Sequence, residues 1–470
     1  MLLDNSEIGI EKIGNITNQG SINIYFIGIG GVSMSSLARL MMKRGHRVFG
    51  SDIKKSAITK SLSDEGADIC YQQLGEHLRE CAPRLCVYSL SADRENPDVL
   101  AALQLSVPLI SRAELLGYVV SEYRSSFAIS GSHGKSTVTA LLTRIFAEAG
   151  KNPTSLLGCP GADGRCELIG SDSLLVYESC EYKNSFLKCF PRYQLILNLE
   201  KDHTDFFKSE EQLSLAFLAC ANQARDFAVM PYDSSALMQI REKTVSRTVT
   251  YGENESADYR YTVISNTGGR YEFRLFCGRM HIGDIKMAAP GRHNMENCVA
   301  AVVCAHHSGV KFSVCKRAAE SFMPPGRRGQ RLGSVCGAEI IYDYAHHPSE
   351  IRAALTALHE QGYKRICVVF CPHTYSRTQS FFNEFAEVLT LPLLSVVTDI
   401  FAAREKAIPG ITQQSLADKI NSLGGRGIYL PERQAFGHIK DMGFDCIVLM
   451  GAGNLDIIKE EIMDNCDFKY

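Results

Sequence analysis

The sequence contains no apolar run long enough to cross a membrane, and it does not open on a signal peptide pattern. Its first residues include Asp4, Glu7 and Glu11 instead of a basic segment followed by an apolar one. Lysine and arginine are spread along the chain, and the formal net charge is only −2, so a basic surface for nucleic acid is not expected. These absences predict a cytoplasmic protein with neither a membrane nor a nucleic acid as its partner.

Regularly spaced cysteines are also missing. The 17 cysteines include no CxxC pair, which is the spacing typical of zinc sites and redox motifs. We therefore expect free thiols in a reducing compartment. With 470 residues the chain is too long for one hydrophobic core, and about two to four domains are expected.

The segment 126–150 carries the strongest positive signal: a short apolar run, a glycine loop and an amphipathic helical pattern. Glycines allow backbone N–H groups to approach phosphate oxygens, Lys135 adds a positive charge, and Ser136 offers a hydroxyl to Mg²⁺. Ile129 stands where a glycine is usual, so the loop is a shortened form. The pattern predicts that nucleotide phosphates bind to the loop residues Gly131, Ser132, His133, Gly134, Lys135, Ser136 and Thr137.

A second glycine turn follows an apolar run at 22–29. It contains Gly28, Gly30 and Gly31, and an acid, Asp52, follows the next predicted strand. This arrangement is typical of a Rossmann-like domain that binds a nucleotide diphosphate. Ser33 replaces the third glycine of the dinucleotide fingerprint, so an NAD-dependent dehydrogenase is the weaker interpretation.

Two further buried strands are predicted at 174–178 and 193–198. Glu178 ends the first of them, and His203 follows the second. Ligands of open α/β sheets collect beyond the carboxyl ends of the strands, so Ser136, Glu178 and His203 are predicted to share one metal ion. The alternative is a solvated acid and a capping histidine.

The remaining sequence predicts an antiparallel insertion at 259–287 and a third alternation of strands and helices after residue 339. Asn294 and Asn297 open a helix, where their amides either contact a base or cap the helix. The third alternation has no phosphate loop, but its loops carry His346, His347 and Arg377. Zinc is disfavoured there because no matching Cys/His spacing lies nearby, and a surface that faces the substrate is preferred.

The predicted fold class is therefore α/β with three domains. Residues 1–20 are polar and are expected to be a loose arm, and 21–117 to be a Rossmann-like domain. Residues 118–325 are expected to be a P-loop ATPase domain with a mostly parallel sheet and a small antiparallel part. Residues 326–470 are expected to be a second Rossmann-like domain, because Pro324, Pro325 and Gly326 mark a boundary.

Nine blocks resemble the Mur ligases of cell-wall synthesis, in order and across nearly the whole chain. They read GIGGVSMSSLA, GSHGKST, ESCEY, NLEKDHTDFF, PGRHNMENCVAA, GRRGQR, DYAHHPSEI, PHTYSRTQ and GAGN. Within the family they look most like the members that add L-alanine. The resemblance implies ligation of L-alanine to the lactyl carboxylate of UDP-N-acetylmuramate through an acyl phosphate, with ATP and Mg²⁺, in peptidoglycan precursor synthesis by a monomer or homodimer.

The resemblance also implies roles for individual residues. Lys135 would hold the β and γ phosphates, and Ser136, Glu178 and His203 would ligate Mg²⁺. The adenine and the rest of the nucleotide would contact Asn294, Asn297, Arg328 and Asp343. The carboxylates of alanine or of the muramoyl group would contact His346, His347 and Arg377. The UDP group would contact Gly28, Gly30, Gly31, Asp52 and Ser89.

Some positions depart from the family pattern. Near the UDP contacts, Ser33 replaces a glycine and Leu90 replaces a common serine. Thr374 replaces an arginine that is often present, and no lysine lies between Lys208 and Lys243. Two alternatives to the main hypothesis remain. One is a ligase that recycles murein tripeptide onto UDP-N-acetylmuramate, and the other is a non-catalytic regulator that binds the UDP-sugar and ATP.

Overall fold

The computed structural model of the protein describes residues 8–90, 92–159, 165–403, 405–453 and 455–465. Its strands form three sheets of five, ten and six strands, which follow one another along the chain. The predicted α/β class with three successive parts is thereby confirmed. Asn454, the last residue of the GAGN block, lies outside the described residues.

The first sheet is parallel and has the order β3-β2-β1-β4-β5, as a Rossmann-like domain requires. Its strands are β1 (Asn23–Ile27), β2 (Arg47–Ser51), β3 (Asp68–Cys70), β4 (Leu85–Tyr88) and β5 (Leu109–Ser111). Its helices are α1 (Ile10–Thr17), α2 (Val32–Lys43), α3 (Ala57–Asp64), α4 (Glu76–Cys81), α5 (Pro97–Gln104) and α6 (Arg112–Glu122).

The second sheet has the order β15-β14-β13-β12-β11-β10-β6-β9-β7-β8 and is parallel except at its two ends. Its strands are β6 (Ser125–Ser130), β7 (Thr154–Leu156), β8 (Glu167–Leu168), β9 (Leu174–Glu178), β10 (Tyr193–Ile196), β11 (Phe227–Pro231), β12 (Thr248–Gly252), β13 (Tyr259–Thr267), β14 (Arg270–Cys277) and β15 (Met280–Lys286). Its α-helices are α7 (Lys135–Glu148), α8 (Glu210–Asn222), α9 (Ser235–Lys243), α10 (Arg292–His307) and α11 (Phe312–Glu320), and a 3₁₀ segment covers Tyr182–Lys188.

The third sheet has the order β16-β17-β21-β18-β19-β20, with only β16 antiparallel to its neighbour. Its strands are β16 (Gln330–Val335), β17 (Ala338–Asp343), β18 (Ile366–Phe370), β19 (Leu394–Val397), β20 (Gly427–Tyr429) and β21 (Cys446–Met450). Its helices are α12 (Pro348–Glu360), α13 (Tyr375–Ser380), α14 (Phe382–Val388), α15 (Gln413–Ser422), α16 (Glu432–Ile439) and α17 (Asp456–Asn465).

The core of the central part explains why β6 and α7 flank the glycine loop. The apolar stripe of α7 is fully buried, and the Phe146 ring packs against Phe127 of β6 with centroids 4.7 Å apart. Gly131 and Gly134 have φ of +135° and +83°, a backbone conformation that side-chain-bearing residues avoid. The helix therefore begins directly at Lys135 with the loop backbone beneath it.

The prediction of a loose N-terminal arm was wrong for the part that the structure describes. Residues Ile10–Thr17 form α1, in which Ile13 is fully buried and Thr17 Oγ1 donates a hydrogen bond of 2.8 Å to Tyr118 Oη. The helix packs on α6. The segment is polar on average, but its few apolar residues are spaced so that they lie on one face of a helix. The average polarity therefore gave no indication of this helix. Residues 1–7 lie outside the described residues.

The predicted boundary between 117 and 118 was also misplaced, because it divides α6. This helix continues to Glu122, and its apolar face, including Leu115 and Val119, joins the core of the first sheet with Ile24. The connection to β6 is therefore at residues 123–124. The other predicted domain limits stay predictions. Among the residues described, no helix has both the length and the apolarity for a membrane crossing.

We predict that Gly117→Ala destabilises the protein. A Cβ at Gly117 would overlap the backbone carbonyl oxygen of Lys188, in the 3₁₀ segment that packs on α6, and overpacking of this kind costs about 1–3 kcal/mol. The apparent Tm, measured by differential scanning calorimetry, should fall by about 1–3 °C.

The matched control is Gly437→Ala in α16. A Cβ there has only the Glu461 carboxylate near it, at 4.0 Å, so better helix propensity should leave Tm unchanged or raised. Equal melting behaviour of the two variants would contradict the packing of α6 on the 3₁₀ segment.

Candidate active site

Two clefts are lined by predicted site residues. The first, which we call the central cleft, measures about 1190 Å³ and lies between the second and third sheets. The second, the outer cleft, measures about 940 Å³ and is lined by all three parts of the chain. Of the predicted site residues, the central cleft is lined by His133, Gly134, Thr137, Asn294, Asn297, Arg328 and Asp343. The outer cleft is lined by Gly28, Gly30, Gly31, Asp52, Ser89, His203 and Arg377.

Lys135 is folded back onto its own loop. Its Nζ donates to the carbonyl oxygens of Gly131 and Ser132 and forms an ion pair of 3.2 Å with Glu181. Burial alone would lower the pKa of Lys135, but the Glu181 carboxylate more than offsets this and raises it. The lysine is therefore charged and held at the loop, where an incoming phosphate can take over its hydrogen bonds.

Glu181 is the residue that sequence reasoning missed. Its carboxylate is almost fully buried and lies between Lys135 and His203, with His203 Nε2 at 3.5 Å. Burial would raise the pKa of Glu181, but Lys135 and then His203 hold it below its ordinary value. The ESCEY block contains a second acid three residues after Glu178, and that spacing was the available signal.

The predicted metal ligands converge on the carboxyl end of β6. Glu178 pairs in register with Ile129, and its Oε1 accepts a hydrogen bond from the backbone N–H of Gly158. Ser136 is buried at the start of α7. A carboxylate and a hydroxyl are the oxygen donors that Mg²⁺ prefers, so both residues fit this ion. Coordination by Ser136, Glu178 and His203 together stays a prediction.

Two residues of the third part face the central cleft. Asp343 ends β17, and its carboxylate accepts backbone hydrogen bonds of 2.7 Å from Gly329 and Ala345. The Arg328 guanidinium stacks on Tyr344 at 5.0 Å, while its buried Nε has no partner among the described residues. A guanidinium with an unused donor in a cleft fits an anionic ligand such as a nucleotide phosphate.

Asn294 and Asn297 lie at the start of α10. Asn294 Nδ2 donates to the Pro290 carbonyl at 2.7 Å, which is a local bond near the helix start. A Cβ on Gly134 would overlap Asn297 Oδ1, so this amide packs directly on the glycine loop. Both residues line the central cleft, and their contact with adenine stays a prediction.

The outer cleft joins the first glycine turn to the third part. The backbone N–H of Gly30 donates to Asp52 Oδ2 at 2.8 Å, so the acid orders the turn itself. Ser89 packs beside Gly28, whose φ is +81°. Across the cleft, Arg377 Nη2 donates to Asp202 Oδ1 at 2.8 Å. Burial would raise the pKa of Asp202, but Arg377 and then His203 hold it far below its ordinary value.

His346 and His347 do not line either cleft. His346 precedes α12, and its Nδ1 lies 3.1 Å from the Glu350 carboxylate in the first turn of that helix. His347 is buried, and its Nε2 bonds to the carbonyl of Lys201 at 3.1 Å. Their contact with substrate carboxylates stays a prediction, and the structure places His347 in the interface between the second and third parts.

Three family models match the chain in succession. They are described as the Mur ligase family catalytic domain at residues 23–124, the Mur ligase middle domain at 129–305 and the Mur ligase glutamate ligase domain at 327–453. Together they cover most of the sequence, and each match falls on one of the three sheets.

Similar proteins carry a consistent name. The UDP-N-acetylmuramate–L-alanine ligase of Caldanaerobacter subterraneus is 35% identical over 97% of this chain and 99% of its own. The ligase of the same name from Agathobacter rectalis is 34% identical over 94% and 98%.

Solved structures share the fold. The UDP-N-acetylmuramate-alanine ligase of Thermotoga maritima superimposes with a TM-score of 0.79 at 23% identity, covering 94% of this chain and 100% of its own. A murein peptide ligase of Psychrobacter arcticus gives a TM-score of 0.70 at 22% identity, with 95% and 98% covered.

We predict that His373 makes the interface between the second and third parts of the chain less stable at acidic pH. Arg377 Nη1 donates to His373 Nδ1 at 3.0 Å, and burial followed by Arg377 lowers the pKa of His373 to about 3. Because the unfolded pKa is about 6.5, the neutral ring contributes stability above that value, and this is lost as pH falls through it toward 3. The Tm advantage of wild type over His373→Gln should therefore shrink from about pH 8 to about pH 5.

Thermal melts of both proteins across this range provide the measurement. Both proteins contain the same other titrating groups, so the contributions of those groups to the change in Tm with pH are subtracted out in the difference. A Tm difference that stays constant with pH would contradict the neutral, Arg377-bonded histidine.

Proposed function

The chain belongs to the Mur ligase family, and on this premise we propose that it joins L-alanine to the lactyl carboxylate of UDP-N-acetylmuramate. Like the family, it is an ATP-dependent ligase. The reaction would proceed through an acyl phosphate and supply a precursor of peptidoglycan in the cytoplasm. A carboxylate is a poor acyl donor, so its activation by phosphoryl transfer is the chemical need that ATP meets.

The observation that supports this proposal best is the chain of contacts that links the two clefts through the glycine loop. His133 and Gly134 of the loop line the central cleft, while His203, which reaches the loop through Glu181 and Lys135, lines the outer one. A nucleotide in the central cleft and a UDP-sugar in the outer cleft would then meet at Lys135. The transferred phosphoryl group needs just such a meeting point.

The residues of the chain divide the work as follows. Lys135 would hold the β and γ phosphates, and Arg328 would approach them from the third part. Mg²⁺, when bound by Ser136, Glu178 and His203, supplies charge neutralisation. Arg377 would exchange Asp202 for the carboxylate of the amino acid, since both are carboxylates of the same geometry. Docking of the third part excludes water from the reacting groups.

We also propose how the parts are assigned. The Rossmann-like first part would bind UDP at Gly28, Gly30, Gly31, Asp52 and Ser89, the central part would bind ATP, and the third would bind the amino acid. A monomer or a homodimer is compatible with this assignment, because all the proposed groups come from one chain.

The alternative function is ligation of murein tripeptide to the same UDP-sugar. A murein peptide ligase shares the fold, with a TM-score of 0.70 at 22% identity, so the fold alone does not separate the two functions. The relatives at 34% and 35% identity are named for L-alanine instead, and this supports the smaller amino acid.

The experiment that tests the proposal measures phosphate release from Mg·ATP and UDP-N-acetylmuramate. We expect release with L-alanine and none with murein tripeptide. Release with tripeptide alone would replace the proposal by its alternative, and no release with either would indicate a non-catalytic binder of UDP-sugar and ATP.

We predict that Lys135→Ala abolishes the ligation while the protein stays folded, because the lost cation is the one that would hold the β and γ phosphates. The reaction rate and the circular dichroism spectrum are the two measurements. The matched control is Lys151→Ala, an exposed lysine beyond the other end of α7, which should retain full activity. Turnover above a few per cent of wild type in Lys135→Ala would contradict the assignment of the loop.

A further inference from the structure

Four donor atoms from two domains converge beside the glycine loop. His133 comes from the loop itself, Glu200 from the segment after β10, and His347 and Ser349 from the start of α12. The ligand atoms of His133, Glu200 and His347 lie within 4.8 Å of one another. No two of the three side chains are neighbours in sequence, so this set is invisible to a search for short motifs.

Two of the separations among these atoms match the edges of a tetrahedral metal site. Glu200 Oε2 lies 3.3 Å from His133 Nε2 and 3.5 Å from His347 Nδ1. Ligands about 2.1 Å from a central zinc ion are separated by about 3.4 Å, the edge of the tetrahedron. Small shifts of the side chains would therefore admit the ion.

Ser349 occupies the remaining corner. Its Oγ lies 2.6 Å from Glu200 Oε2, 2.8 Å from His347 Nδ1 and 3.2 Å from His133 Nε2. The hydroxyl donates one hydrogen bond and accepts others, so it links all three side chains in one polar cluster. A cation in the centre would bind the same lone pairs in place of the protons.

We propose that His133, Glu200 and His347, with Ser349 at the fourth corner, form a site for a divalent transition metal of the zinc class. Two imidazoles and one carboxylate form a zinc ligand set, whereas Mg²⁺ prefers six oxygen ligands. The site is therefore chemically distinct from the Mg²⁺ ligands Ser136, Glu178 and His203.

A metal ion at this site would affect how the third part docks on the second. Its ligands come from both sides of the interface, so the ion joins the glycine loop to α12 by coordinate bonds. The metal would hold the two parts together and would hold His133 in the wall of the central cleft. Zinc binding should therefore stabilise the docked state and slow turnover.

The neighbouring groups favour a bound orientation. His347 Nε2 bonds to the Lys201 carbonyl at 3.1 Å, which leaves Nδ1 directed at Glu200. His133 Nδ1 lies 3.0 Å from the Glu350 carboxylate. Burial would lower the pKa of His133, but Glu350 and then Glu200 raise it to about 10, so a metal ion at Nε2 must displace a proton. Such carboxylate and carbonyl partners on the far ring nitrogen are the usual support of metal-bound histidines.

The test titrates the full-length protein, stripped of metal and free of nucleotide, with Co²⁺ and with Zn²⁺. Tetrahedral Co²⁺ bound through nitrogen and oxygen gives visible absorption bands without the charge-transfer band of thiolate ligands. We expect this spectrum at one ion per chain, its loss on addition of Zn²⁺, and no effect of excess Mg²⁺. Zn²⁺ should also raise Tm.

Two variants and one control identify the ligands. The double variant His133→Asn/His347→Asn and the single variant Glu200→Gln should each weaken Zn²⁺ binding at least about 100-fold, since even the loss of a supporting partner costs 10–100-fold. His359→Asn, later on α12 and bonded to the Leu355 carbonyl, should bind like wild type. Glu200→Gln tests the proposal independently if the double variant does not fold.

Three results would overturn the proposal. The first is equal Zn²⁺ affinity of wild type and both variants, which would place the ion at another site on the chain. The second is a thiolate charge-transfer band in the Co²⁺ spectrum. The third is displacement of Co²⁺ by Mg²⁺. None of these readouts depends on the ligation, so failure of the proposed function leaves the test intact.

Discussion

The segment 198–203, which follows β10, is the constraint on which the site depends. Asn198 exchanges two hydrogen bonds with the His133 backbone, accepting one at 2.8 Å and donating one at 3.1 Å. Ser132 and Glu200 form a similar pair through the Ser132 hydroxyl, at 3.0 and 2.9 Å. These hydrogen bonds fix the glycine loop to the end of the neighbouring strand. The flexible glycines are therefore held in one conformation, and the backbone N–H groups keep fixed positions for a phosphate.

The other face of the same segment receives the third part of the chain. Asp202 pairs with Arg377, and Glu200 with Ser349. Breaking a buried pair leaves an uncompensated charge, which costs about 3–5 kcal/mol when one partner is removed. One short segment therefore links the position of the third part to the geometry of the loop.

Much of the fold followed from the sequence because the strands are buried on both faces. The runs at Leu174–Glu178 and Ile366–Phe370 read as continuous apolar segments bounded by polar residues, as parallel strands do. The edge strand β16 and the helix α1 were not recognised. Gln330–Val335 has a mixed burial pattern at the sheet edge, and α1 gains its stability from α6, which local propensity cannot register.

The glycine loops and strand ends of the candidate site could be predicted from the sequence. The contacts between its side chains could not. Gly131, Lys135 and Ser136 follow from one contiguous motif. By contrast, Glu181 between Lys135 and His203, and Glu200 between His133 and His347, arise from tertiary packing of separate segments. Spacing along the chain carries no information about such contacts. Zinc was therefore disfavoured at His346 and His347, because no matching Cys/His spacing lies near them in the sequence.

The central claim is that the carboxylate of the UDP-sugar is activated by phosphoryl transfer before the amine attacks. UDP-N-acetylmuramate with a heavy oxygen isotope in its lactyl carboxylate tests this directly, by mass spectrometry of the phosphate released during ligation of L-alanine. The account predicts that one labelled oxygen moves into the phosphate for each amide bond formed. Release of unlabelled phosphate alongside the amide product would contradict it.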